Sequence, residues 1–119
     1  MIAKEQKQSE GRKDGKVIRV NIDPGICGFG CIIRAMKQEK RSVTVDIESD
    51  CEQIQKLADT LSDISIRELF LPLSQNPIFQ IAERSRCHTA CPIPSSIAKI
   101  AEVALGLALP KDVLLKFDE

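Results

Sequence analysis

The sequence predicts an α+β fold, a mixed sheet that begins as an antiparallel β-meander, with three helices packed on one face in the order βββαβααβ. Three observations carry this expectation. β-Branched residues recur at strand spacing in "KVIRVNID" and "SVTVDIES". Apolar residues recur at helical spacing after residue 50, after Asn76 and again from Ile97. The strands come mainly first and the helices later, as expected of helices covering one face of a sheet.

Residues 1–15 are polar, mixed in charge and without period, the pattern of a disordered tail; residues 16–119 then form a single α+β domain. Val17, Ile18, Val20 and Ile22 make the first strand, which "DPGICGFG" breaks through Pro24, Gly25, Gly28 and Gly30. Asp23 is placed to cap that turn through its side chain. "CIIRAMKQ" reads as a second strand or a helix start, and its period does not separate the two. "EKR" then turns the chain, and Val43, Val45 and Ile47 alternate with polar residues in a half-buried strand.

Ser49 and Glu52 have capping-box spacing, so a helix is expected from about 50 to 61 with Ile54, Leu57, Ala58 and Leu61 on one face. "SIRELFLPL" reads as a buried strand ending at Pro72. Asn76-Pro77 supplies an N-cap and a proline at the first helical position, opening a helix that carries Ile78, Ile81, Ala82 and Ser85. "CHTACPIP" interrupts it. A last helix carries Ile97, Ile100, Ala101, Ala104 and Leu105 and stops at Gly106 to Pro110, after which Val113, Leu115 and Phe117 alternate as a short final strand.

Composition excludes several functions. Seventeen basic and seventeen acidic residues give a formal net charge of zero, and there is no Trp or Tyr. A chain without a positive field and with few rings for bases to stack on is not expected to bind nucleic acid. No apolar stretch is long enough for a signal peptide or a membrane span, so a cytoplasmic location and no membrane partner are expected. Five cysteines in 119 residues, an odd number in a reducing compartment, point to thiols or thiolate ligands rather than a disulfide scaffold.

The cysteines are Cys27, Cys31, Cys51, Cys87 and Cys91. In a three-strand meander the end of the first strand, the start of the second and the end of the third lie together. Cys27, Cys31 and Cys51 occupy those places and are expected to converge. Ser49 as N-cap would put Cys51 at N2, where the helix dipole favours a thiolate. Cys87 and Cys91 lie in a loop between two helices, and whether they meet the other three depends on packing. Two Cys-x₃-Cys pairs and a fifth thiol supply enough soft ligands for zinc or an iron–sulfur cluster, and His88 is an accessory candidate. "CHTACP" shares the Cys-x₃-Cys-Pro ending of bacterial ferredoxin runs but lacks the cysteines that precede it there. Passive burial of small thiols is the plain alternative. The glycines of "GICGFG" look superficially like a phosphate loop, but such loops open a helix, and this one leads toward a strand.

"VNIDPGICGFGC" together with "CHTACPIPSSIAKIAEVALGLALPKDV" resembles a small cysteine-containing family of uncharacterised proteins from anaerobic prokaryotes. That resemblance covers nearly all the chain after residue 15. It implies an anaerobic, reducing setting in which iron–sulfur chemistry is plausible, and it brings no activity or ligand set.

The leading expectation is a cytoplasmic metal- or iron–sulfur-binding module. Cys27, Cys51, Cys87 and Cys91 are its first-choice ligands, with Cys31 as fifth thiol or alternative ligand, and it would work with an electron- or metal-transfer partner. Two other classes stay open. One is a thiol-redox protein in which Cys87 or Cys91 attacks and its pair partner resolves. The other is a non-catalytic homodimeric interaction protein with structural cysteines, joined through its last helix and strand.

Overall fold

A computed structural model describes residues 16–39 and 41–118. The expected polar tail, residues 1–15, lies outside the described residues. Three long strands form first: β1 (Val17–Ile22), β2 (Cys31–Gln38) and β3 (Ser42–Ser49). They pair as the antiparallel meander the alternation predicted, and "CIIRAMKQ" is wholly strand. In the register Ile22 faces Cys31, Val20 faces Ile33 and Ile18 faces Ala35; on the other side Cys31 faces Ser49 and Ile33 faces Ile47. Residues directly opposite share a face of the sheet. One face therefore carries Cys31, Ile33, Ala35 and Val43, all buried, and the other carries Arg34, which reaches Asp46 at 2.9 Å and Glu48 at 3.1 Å.

The buried face is covered by α1 (Glu52–Thr60) and α4 (Ile93–Ala104), and α3 (Pro77–Arg84) packs against both of these helices. Ile54 and Leu57 from α1, Ile78 and Ile81 from α3, and Ile93, Ile97 and Ile100 from α4 join Ile33, Val43 and Ile64 in one core. Asn76 caps α3 as expected. Its side-chain oxygen accepts from the Ile78 N–H at 3.0 Å, and Pro77 occupies the first turn.

Four details depart from the sequence reading. The sheet is antiparallel at every described pairing rather than mixed, in the order β1-β2-β3-β4. Residues 66–72 do not form a buried strand; only β4 (Ile64–Ser65) pairs with β3, and α2 (Ile66–Leu69) follows at once. The cause is a complete capping box. Ser65 Oγ accepts from the Glu68 N–H, while the Glu68 carboxylate accepts from the Ser65 N–H, so local bonds turn the backbone into a helix. The similar Ser49/Glu52 spacing makes no such box, because Ser49 is held as the last residue of β3, paired with Cys31. The final strand expected at Val113, Leu115 and Phe117 is absent. Its residues are 67, 78 and 82% exposed and pair with no strand among the described residues. No helix among the described residues is long and apolar enough to cross a membrane.

Candidate metal centre

Each cysteine is placed by a different local device. In the loop between β1 and β2, Asp23 Oδ1 accepts from the Gly25 N–H at 3.0 Å, and the Gly28 N–H donates to the Gly25 carbonyl at 3.0 Å. Gly25 and Gly28 take φ of +95° and +77°, which a side chain would resist. This double turn leaves Cys27 exposed near the loop's tip. Cys31 opens β2, 3% exposed on the core face. The glycine loop feeds a strand, not a helix, so it lacks the converging helical N–H groups of a phosphate loop.

Cys51 is the N-cap of α1, not its second residue. Ser49, still in the ladder, accepts the Cys51 N–H through Oγ at 3.1 Å, so the helix begins two residues later than Ser49 capping would allow. The Cys51 thiol donates to Gln53 Oε1 at 3.3 Å beside the opening of the helix.

Cys87 follows a Schellman motif. Arg86 adopts the left-handed conformation at φ 64°, its N–H donates to the Glu83 carbonyl, and the Cys87 N–H donates to the Ala82 carbonyl. A turn follows at once, closed by the Cys91 N–H donating to the His88 carbonyl at 3.0 Å. Schellman motif and turn together fold "CHTAC" back so that both half-buried thiols pack against the core. The sequence offered no signal for this closure, since an arginine fills the position where glycine is the usual marker. His88 itself is exposed, and nothing places its ring among the thiols.

The two Cys-x₃-Cys pairs lie within reach of one another's charge. Burial, and then the charges of Cys91 and Cys51, together push the Cys31 thiol up to about 11. Burial likewise pushes Cys87 up to about 11, again with help from Cys91 and Cys51. Cys91 is raised by burial, opposed by a hydrogen bond from the Ile93 backbone N–H, and raised by Cys51 and Cys27. Sequence reasoning missed Ile93 as a sulfur-directed donor, and its place two residues after Cys91 at the start of α4 was the available clue.

The charges of Cys51 and Cys91 thus reach Cys31 and Cys87, and that of Cys27 reaches Cys91. The group lies at the end of the sheet where β1 and β3 finish and β2 begins. All five are free thiols. Among the described residues no three His, Cys, Asp or Glu side chains stand in a ready-made metal-binding array. The thiols are gathered but not drawn onto a common centre. A shallow cavity of about 350 Å³ lies elsewhere, between α1 and α3, lined by Lys56, Asp59, Arg84 and Ser85 among others and by no cysteine.

Fold and site together define a small α+β protein whose cysteines are collected at one end of an antiparallel sheet. Residues 18–117 match the model of the family of unknown function DUF6951, and the chain belongs to that family. No curated protein and no solved structure matches it.

Proposed function

We propose that this chain is a cytoplasmic metal-binding module in which cysteine thiolates hold a soft metal, either zinc or an iron–sulfur cluster. The single observation that supports this reading is the convergence of all five cysteines from four separate segments onto one end of the sheet. Passive packing asks only that each thiol be buried somewhere. It does not ask that Cys51, at a helix start, and Cys91, in a distant turn, come within each other's field.

The chemistry of the donors fits a cation. Buried thiols that repel one another's charge hold their protons when nothing else neutralises them. A soft metal reverses the balance, because the same crowding that disfavours several free thiolates favours several thiolates around one positive centre. Cys31, Cys51, Cys87 and Cys91 form the inner set, and Cys27 is the exposed fifth thiol. This exchanges the places of Cys27 and Cys31 relative to the expectation from sequence. Small side-chain and turn movements at Cys27 and the Cys87–Cys91 loop would close the group onto a metal.

The thiol-redox reading is weaker on the same grounds. An attacking cysteine needs a substantial thiolate fraction near neutral pH, whereas Cys87 and Cys91 are both raised by burial.

Anaerobic purification, followed by metal and acid-labile sulfide analysis and a visible absorption spectrum, tests the proposal. Stoichiometric zinc, or iron with sulfide and thiolate-to-iron absorption, is expected. A metal-free chain that takes up neither zinc nor a reconstituted cluster would overturn it.

A further inference from the structure

We infer that two copies of this chain pair by exchanging their C-terminal segments, residues 111–118 of each adding as a strand to the outer edge of β1 in the other. The segment has the form of a strand without a sheet. Val113, Leu115 and Phe117 alternate with Asp112, Leu114 and Lys116, yet every one of these apolar side chains is at least 67% exposed, and Leu109 and Leu114 are above 80%. No backbone hydrogen bond beyond that of the Leu107 N–H holds it among the described residues. A contiguous exposed apolar run of this kind marks an interaction surface.

The complementary feature is β1. It stands at the edge of the sheet, and among the described residues no strand pairs with its outer side. Its core-face residues Ile18, Val20 and Ile22 are only half buried, although α4 packs beside them. An added strand with period-two apolar residues would extend that face, setting Val113, Leu115 and Phe117 alongside the three β1 residues. Six residues of β1 and eight of the tail are matched in length. Pro110, which has no N–H to give a ladder, sets the earliest start of the new strand at Lys111.

A second copy is the occupant the observations favour. Among the described residues each chain offers the free outer edge of β1 and an unpaired tail, and reciprocal exchange about a twofold axis satisfies both. The chain's own tail, after leaving α4 through left-handed Gly106, stays off its own edge. Lys111 and Lys116 balance Asp112 and Asp118, and the whole chain is formally neutral, so no net repulsion opposes self-association.

The test is light scattering and sedimentation of the full reduced chain across a hundredfold range of concentration, beside the double variant Leu115→Lys, Phe117→Lys. Reductant keeps intermolecular disulfides out of the result. The wild-type mass is expected at twice 13.2 kDa. The variant should dissociate at least about 100-fold more readily, as expected for losing two central apolar anchors. Its circular dichroism should be unchanged, because neither side chain belongs to the core. Concentration-dependent hydrogen-exchange protection should appear together at residues 18–22 and 113–117. A wild-type monomer throughout the range would overturn the inference. So would a dimer whose mass the double variant leaves intact, or tail amides protected in a monomer.

Discussion

Cys31, the first residue of β2, and Cys91, in the turn before α4, lie close enough that charge on Cys91 raises the proton affinity of Cys31. The meander alone brings Cys31 beside Cys51, through its pairing with Ser49 two residues earlier. Only the packing of α4 across β2 brings Cys91 to the same place. The contact is therefore tertiary in origin, and the proposed centre exists only in the folded chain.

That arrangement ranks the ligands. Cys51→Ser and Cys91→Ser remove the two thiols whose charge reaches most of the others, and each should weaken metal retention by more than the about 10–100-fold typical of losing an outer-shell partner. Cys27→Ser should retain most of the metal, because Cys27 alone of the five is exposed. Metal-to-protein ratios after dialysis against graded chelator give the ranking. Equal losses in all three variants would show that Cys27 is a full ligand and that the inner set is wrongly chosen.

The metal-free chain should lose stability in alkali. Cys31 and Cys87 go from 9.0 to about 11 on folding. Between those values the native state holds protons that the unfolded state has released, so stability falls as pH rises. The contribution is fully present below about pH 9 and is lost as pH climbs through about 11. Denaturant midpoints of the reduced, metal-free chain should be flat up to that lower limit and then decline. Cys31→Ala should remove part of the decline. A curve that stays level in the wild type would mean that these thiols are solvated.

Thiol reactivity should follow the same geometry. With metal removed, iodoacetamide near neutral pH should modify Cys27 first, since it is exposed, and Cys31 last, since it is 3% exposed and holds its proton tightly. Time-resolved peptide mass spectrometry reads the order. Metal added beforehand should slow the inner four more than Cys27. Uniform labelling of all five thiols would be evidence of an open, unpacked end of the sheet.

The meander, the helix opened by Asn76-Pro77 and the last helix were legible in the sequence because each depends on local signals, namely β-branched alternation, an N-cap with proline, and an apolar stripe. The nearness of Cys31 and Cys51 was legible for the same reason, since the meander sets Cys31 beside Ser49, two residues before Cys51. Two capping-box spacings, Ser49/Glu52 and Ser65/Glu68, look alike in sequence, but β3 holds Ser49 in its ladder while Ser65 is free to cap. The position of Cys87 and Cys91 was not legible. It rests on Arg86 in a left-handed conformation and on helix packing, neither of which has a sequence marker here. The alternation of Val113, Leu115 and Phe117 was read correctly as a pattern, but a strand also needs a partner, and in the single chain the segment stays off every described strand.

Asn76 should prove the most sensitive polar residue of the core. It is 3% exposed, and its side chain does two jobs. The oxygen accepts the Ile78 N–H at 3.0 Å, capping α3, while the amide donates to the carbonyls of Leu69 at 3.0 Å and Glu68 at 3.3 Å, tying α2 to α3. Asn76→Ala loses the cap and leaves buried backbone groups without partners, a cost of about 2–3 kcal/mol. Asn76→Asp keeps the capping acceptor but sets a carboxylate against two carbonyls, so it should be no better than alanine despite its good capping ability elsewhere. Chemical denaturation of the three proteins checks the order. Because Asn76 opens α3 while Cys87 follows its other end, metal bound per folded molecule should be unchanged in Asn76→Ala. If it fell along with stability, the thiol group would depend on the whole of α3 rather than on the Schellman turn that closes it.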